Sequence, residues 1–443
     1  MRPGSAETVP RGGADSLPKE AYRRLLAEGR ERTLSLVADV DEPDLDRVHD
    51  PLMSPLVWDL GHIAAFEDLW LCQRAAGLEP LRPELMRVYD ADETPRADRG
   101  ELPYLRHAQA LEYMDAVRSR ALDVLDDADL SPDGDDLNAG GFVWEMLVQH
   151  EHQHNETMLQ TLALAAPGTI APERRPLPGP CGEDGPATVL VEGGPFPLGA
   201  SADGFAYDNE RPRHEVDLAT FEIDRTAVTN GAYSEFVEVG GYDRPEWWSE
   251  AGWEWRGRER VDRPRYWTGD GRERRFERTA ELDPCLPVMH VSWYEADAFA
   301  RSQGRRLPTE AEWEKAATWD VSAGEKRIHP WGEEEPTAER ANLDQSGFGP
   351  AAADAYADGA SPCGARGMIG DAWEWTASPL EPYPGFEAFP YPEYSEVFFG
   401  GPYKVLRGGS WATRSRPARA TFRNWDHPQR RQVFTGFRCA SDA

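Results

Sequence analysis

Apolar residues recur at three- and four-residue spacing from about Leu17 to Ala166, with Pro and Gly confined to punctuating positions, so the stretch reads as helical. The pattern predicts helices over 18–38, 54–76, 106–127 and 140–165. Four helices of this length with connections between them imply an antiparallel bundle. Ser54-Pro55 is expected to open the second helix, as an N-cap followed by proline at the first helical position. That helix carries Trp58, His62, Phe66, Leu69 and Trp70, which places His62 within an apolar stripe where a wet face would carry Lys or Glu.

The pattern changes after residue 166. Residues 167–187 are rich in Pro and Gly with no apolar period, as expected of an interdomain linker. Beyond them come short β-type runs, such as Thr188-Val189-Leu190-Val191 and Phe221-Glu222-Ile223, separated by turn residues and dense in Trp and Gly. Two clear helices interrupt them, opening near Trp293 and Pro308. The expected organisation is a disordered leader over 1–16, a four-helix bundle over 17–166, the linker, and an α+β domain over 188–443.

Composition sharpens this picture. Forty per cent apolar residues, with 16 Trp, 14 Tyr and 16 Phe, belong to a folded chain, and 443 residues suffice for two or three sizeable cores. The formal net charge of −31 argues against nucleic acid or an anionic membrane as partner, because the whole-protein field repels phosphates. The five cysteines, Cys72, Cys181, Cys285, Cys363 and Cys439, are widely spaced, which disfavours a disulfide framework or a thiolate zinc site and fits a reducing compartment. With no apolar run long enough to span a bilayer and no apolar segment near the N-terminus, a cytoplasmic protein is expected, and a monomer.

The densest candidate chemistry is Gln149-His150-Glu151-His152-Gln153-His154-Asn155-Glu156. On a helix, His150 and His154 share one face and His152 points nearly the opposite way. Two ligands from one helix leave a metal site in need of a third, which His62 can supply from a facing helix of the same bundle. His150-Glu151-His152-Gln153-His154 also satisfies the zinc-peptidase pattern with Glu151 as general base, but the chain runs into the Pro-rich linker where a third ligand would be sought. Arg96 and Arg99 lie in an irregular segment between the second and third helices. Their residue types and spacing are compatible with balancing local acidity or with clamping carboxylates.

Eight ordered blocks after residue 188 resemble the formylglycine-generating-enzyme and sulfatase-modifying-factor family, a variant of the C-type-lectin-like fold. They are Gly193–Gly199, Asn209–Pro212, Val228–Asn230, His290–Trp293, Arg306–Glu314, Gly370–Trp375, Leu406–Trp411 and Gly436–Cys439. The helical half resembles DinB-like four-helix bundles, whose metal is held by three histidines drawn from two helices. The two in this order resemble the EgtB-type sulfoxide synthases of ergothioneine biosynthesis, whose HxxxHxE motif is met by His150, His154 and Glu156, with an earlier helical histidine at His62.

The resemblance implies a non-haem Fe(II) on His62, His150 and His154, and a reaction in which O2 is used to join the sulfur of γ-glutamylcysteine to the imidazole carbon of hercynine (trimethylhistidine), giving a sulfoxide. It implies that Gln153 contacts the hercynine imidazole and that Arg96 and Arg99 hold the carboxylates of γ-glutamylcysteine, which overturns charge balance as their purpose. Within Arg423–Arg431 it assigns Asp426 and Arg430 to γ-glutamylcysteine, and Asn424 and Trp425 to hercynine. An indole face suits a quaternary ammonium, Asp an ammonium and Arg a carboxylate. Tyr391 matches the catalytic tyrosine, a proton donor, and Tyr394 the hercynine pocket; the spacing leaves room for the reverse assignment. Glu156 is expected to orient a ligand imidazole. Relatives differ in taking γ-glutamylcysteine or free cysteine, and a structural Ca(2+) in the lectin-like domain stays open. A formylglycine-generating oxidase needs a close Cys pair that is missing here, and a lectin-like module that only binds predicts no O2 consumption.

Overall fold

The computed structural model describes residues 17–180, 182 and 187–443, so the expected leader and part of the expected linker, with Cys181, lie outside it. The described residues form two compact units. One comprises the residues up to Ala165 together with Ala200–Arg213 and Phe389–Tyr391, and the other Ala166–Gly199, His214–Ala388 and Pro392–Ala443.

Four long helices build the first unit: α1 (Lys19–Val37), α2 (Leu56–Glu67), α3 (His107–Asp127) and α4 (Phe142–Leu164). Helix α1 packs on α4, and α2 packs on both α3 and α4. The second helix is buried around most of its surface, with Leu56, Val57, Trp58, Leu60, Ile63 and Ala64 at 2% exposure or less; of the expected stripe, Trp58, His62 and Trp70 are buried and Phe66 and Leu69 half-buried. The expected start of α2 moves by one residue. Pro55 is the cap, and the Ser54 hydroxyl accepts a hydrogen bond from Arg99 Nη1 (2.9 Å) instead of capping the helix. The expected helix 54–76 also changes character after Glu67, where Asp68–Arg74 form a π-helical turn. There the buried Asp68 carboxylate accepts from Gln73 Nε2 (2.9 Å), Leu81 N (3.0 Å) and Arg120 Nη1 (3.1 Å).

A buried ion network ties all four helices together. Arg30 of α1 donates to Glu67 (2.8 Å) and Glu151 (2.9 Å), while Arg118 of α3 donates to Glu67 (2.6 Å) and Glu151 (3.2 Å). Each charge meets partners on other helices, so the network fixes helix register more than it adds net stability.

In the second unit a four-stranded sheet runs Asn424–Asp426, Lys404–Arg407, Trp373–Pro379, Thr435–Gly436 in that order, and a three-stranded sheet pairs Thr188–Val191 and Ala440–Asp442 on either side of Phe221–Asp224. The helices expected near Trp293 and Pro308 are Trp293–Ser302 and Glu310–Thr318, capped by Ser292 and Thr309. Two more, Asn230–Glu238 and Glu250–Glu259, were not expected. The latter spells Glu-Ala-Gly-Trp-Glu-Trp-Arg-Gly-Arg-Glu, whose two glycines and weak apolar period hide it from a pattern search.

The recognisable blocks turn out to supply buried ion pairs as well as turns. Arg438 grips Glu374 through two 2.7 Å hydrogen bonds, Arg423 grips Glu310 through two of 2.9 Å, and Trp313 Nε1 donates to Glu374 (2.7 Å). Residues 167–180 have no helix or strand, yet Arg174 is paired with Glu277 (2.6 and 3.0 Å) and Arg175 N donates to Ser346 O (2.9 Å).

Candidate metal centre

Helix α2 contributes His62, and α4 contributes His150 and His154. One nitrogen from each lies within 4.8 Å of the other two. The i, i+4 spacing on α4 stacks its two imidazoles over successive turns, with ring centroids 4.5 Å apart. His62 is 5.3 Å from His150 and 4.7 Å from His154 between ring centroids.

Each ring is held from behind. His62 stacks on Trp58 (5.0 Å, 10° between planes), and its Nδ1 pairs with the Tyr89 carbonyl at 2.7 Å. A carbonyl can only accept, so Nδ1 carries the proton and Nε2 is left for a metal. His150 stacks on Phe66 (3.8 Å, 11°). The Nδ1 of His154 lies 3.3 Å from Asp59 Oδ1. Burial, and then the neighbouring imidazoles, push His62 and His150 well below the usual histidine range, so both are neutral at neutral pH with lone pairs to offer. Three imidazoles whose nitrogens converge, with the Nδ1 atoms of His150 and His154 lacking hydrogen-bond partners, form a donor set that fits a divalent transition metal with positions left open.

The remaining residues of the His-rich stretch separate cleanly. Gln153 Nε2 donates to Tyr207 Oη at 3.1 Å. Glu151 accepts from Arg30, Arg118 and Thr33 Oγ1 (2.8 Å). Burial alone would raise its carboxyl, but the two guanidiniums outweigh burial and hold it below the usual range, so it is unsuited to act as the general base of a peptidase. His152 is buried against α1, with Glu28 Oε2 3.9 Å from its Nε2. Asp59, from α2, is a carboxylate beside a ligand-type imidazole that the sequence pattern did not single out.

Arg96 and Arg99 occupy a 3₁₀ turn over Arg96–Glu101 in the segment expected to be irregular. Arg99 is buried, donates to Thr94 O (2.9 Å), Ser54 Oγ (2.9 Å) and Ala91 O (3.1 Å), and lies 3.9 Å above the Trp58 ring. Burial, with Arg96 second, pulls its guanidinium down to about 10. Arg96 is exposed and reaches Leu52 O at 3.4 Å. Arg99, Trp58 and His62 therefore form one continuous stack. Tyr391 belongs to this first unit, with its ring 4.9 Å from Trp70 and 6.3 Å from Phe66, the residue on which His150 stacks.

Tyr394, Asn424, Trp425, Asp426 and Arg430 lie in the second unit. Trp425 meets Tyr394 edge-on (6.1 Å, 88°), Asn424 Oδ1 accepts from Trp425 N (2.8 Å), and Asp426 lies 3.5 Å from Arg430. Pattern reading missed Asp59, Tyr89 and Tyr207. Only Asp59 left a signal, its i, i+3 spacing from His62 on one helix face.

The chain matches the DinB superfamily over residues 25–158 and the sulfatase-modifying factor enzyme 1-like domain over residues 175–443. That pairing, with three imidazoles gathered at one point of the helical unit, defines a class of two-domain, metal-dependent oxygenases. The chain is similar to the hercynine oxygenase of Mycobacterium tuberculosis, 49% identical over 422 residues, covering 94% of this chain and 97% of the relative. It is similar also to the hercynine oxygenases of Mycolicibacterium thermoresistibile (48% identical, covering 95% and 94%) and Mycolicibacterium smegmatis (47%, covering 96% and 100%). The chain belongs to the hercynine oxygenase family and is an oxidoreductase.

Proposed function

We propose that this protein binds Fe(II) through His62, His150 and His154 and uses O2 to join the sulfur of γ-glutamylcysteine to the imidazole carbon of hercynine, forming a sulfoxide on the route to ergothioneine. The observation that carries the reading is the convergence of those three imidazoles within 4.8 Å. Bound iron would supply O2 activation and open positions for a thiolate and an imidazole.

The protein's own groups do the rest. The Gln153 amide, oriented by Tyr207, hydrogen-bonds a ring nitrogen of hercynine, and the Trp425 and Tyr394 rings with Asn424 hold its quaternary ammonium. Arg96 and Arg99, together with Arg430, take the two carboxylates of γ-glutamylcysteine, while Asp426 takes its ammonium. Two carboxylates and an ammonium matched by three arginines and an aspartate favour γ-glutamylcysteine over free cysteine. Tyr391 donates a proton to the reacting centre; its place beside Trp70 and Phe66 supports it over Tyr394. The free thiols of Cys72, Cys285, Cys363 and Cys439 suit a reducing, cytoplasmic setting.

Tyr391→Phe tests the assignment. The variant should turn over thiol and O2 while diverting product from the sulfoxide to the oxidised thiol alone, read by mass spectrometry. An unchanged sulfoxide yield would move the proton-donor role away from Tyr391.

A further inference from the structure

Asp59 is the anomaly of the helical unit. It is 1% exposed, and neither carboxylate oxygen has a hydrogen-bond partner. Three other buried carboxylates of the bundle, Glu67, Asp68 and Glu151, are each met by arginine, and Glu145 accepts from Gln149 Nε2 (2.7 Å). A carboxylate buried without donors costs several kcal/mol, which packing does not repay. The polar atom it faces is the Nδ1 of His154, 3.3 Å from Oδ1. Its own helix presents His62 one turn further on, and Arg99 is the cation whose field reaches it.

We propose that Asp59 is a positioning residue of the metal centre: it accepts the Nδ1 proton of His154, fixing the tautomer in which Nε2 is the metal-binding atom and holding the ring in register with His62 and His150. His62 already has this arrangement through the Tyr89 carbonyl, and Asp59 provides the equivalent for His154 with a full negative charge. The charge raises the basicity of the imidazole and offsets part of the dication's charge. Helix α2 thus contributes one ligand directly and governs a second across the bundle. The inference rests on the three-histidine metal reading, which the test separates from it.

The experiment uses the full-length protein and the metal alone. Fe(II) affinity is measured by chelator competition and the ligand field by the visible spectrum of the Co(II)-loaded form, for wild type, Asp59→Leu, Asp59→Asn and His154→Ala; thermal unfolding of each apo form is recorded alongside. Asp59→Leu should weaken Fe(II) binding by roughly 10- to 100-fold and change the Co(II) spectrum, with an apo midpoint equal to or above wild type because an uncompensated charge has been removed. Asp59→Asn keeps an accepting oxygen and should recover part of that affinity, remaining at least about threefold weaker than wild type. Wild-type affinity and spectrum in both Asp59 variants, with metal lost in His154→Ala, would overturn the role of Asp59 alone. A lowered apo midpoint in Asp59→Leu, with no recovery in Asp59→Asn, would overturn it in favour of a purely structural role. Wild-type metal binding by His154→Ala would overturn the metal centre itself.

Discussion

Asp371 illustrates how costly a buried charge remains even with donors in place. Its backbone is left-handed (φ 58°), and one oxygen accepts from Asn342 Nδ2 (2.8 Å) and Ala351 N (2.7 Å). Burial still pushes its carboxyl up from 3.8 to about 7, against those two donors and with help from Glu374. The folded state therefore holds this proton longer than the unfolded chain does. Its stabilising contribution is complete below about pH 4 and is lost as pH rises through about 7. Asp371→Asn keeps the accepting oxygen, tolerates the left-handed backbone and removes the charge. Melts across this range should show the variant more stable than the parent near pH 8, by up to about 4 kcal/mol, with the advantage vanishing near pH 4. An advantage constant with pH would contradict the account. At this scale the sequence was legible where residue type and spacing coincide. His150 and His154 are four apart, and His62 interrupts an apolar stripe. It was silent on Tyr89, whose contribution to His62 is a backbone carbonyl, a group that every residue carries.

Helix α2 shows how a local choice that weakens an element can serve a site. Gly61 disfavours helix, and alanine there would ordinarily gain about 1 kcal/mol. A Cβ at that position would lie 2.1 Å from Tyr89 Cζ, inside the ring. Since the Tyr89 carbonyl pairs with His62 Nδ1, displacing Tyr89 disturbs a ligand. Gly61→Ala should lower stability by about 1–3 kcal/mol despite its better helix propensity, and weaken metal binding. A higher melting midpoint with unchanged metal affinity would show that Tyr89 can move freely. The four long helices were legible because each carries several turns of apolar period. The π turn at Asp68–Arg74 was not, because it accompanies hydrogen bonds from Leu81 and Arg120, remote in sequence. Short strands such as Thr435–Gly436 hold too few residues to display any period.

The whole molecule carries a net charge of −31, with its basic side chains almost all arginine; the lysines are Lys19, Lys315, Lys326 and Lys404. Self-repulsion of this size is screened over about 8–10 Å at physiological salt and over about 3 Å at 1 M. Raising sodium chloride from about 20 mM to about 0.5 M should therefore raise the thermal midpoint, by roughly 2–4 °C for each kcal/mol of repulsion relieved. A midpoint that falls with salt would mean that the surface ion pairs outweigh the repulsion. Two-domain order and the family were legible at this scale from blocks of scaffold residues. The inclusion of Ala200–Arg213 and Phe389–Tyr391 in the helical unit was not, because it depends on contacts between distant parts of the chain. Tyr207 and Tyr391, both in those segments, gain their setting from it. The central claim is tested most directly by reconstituting the protein anaerobically with Fe(II) and following O2 uptake, with mass spectrometry of the products, for hercynine with γ-glutamylcysteine and for hercynine with cysteine. The account predicts O2 consumption and a γ-glutamyl-hercynylcysteine sulfoxide, with γ-glutamylcysteine the better thiol; absence of O2 uptake with either thiol would contradict it.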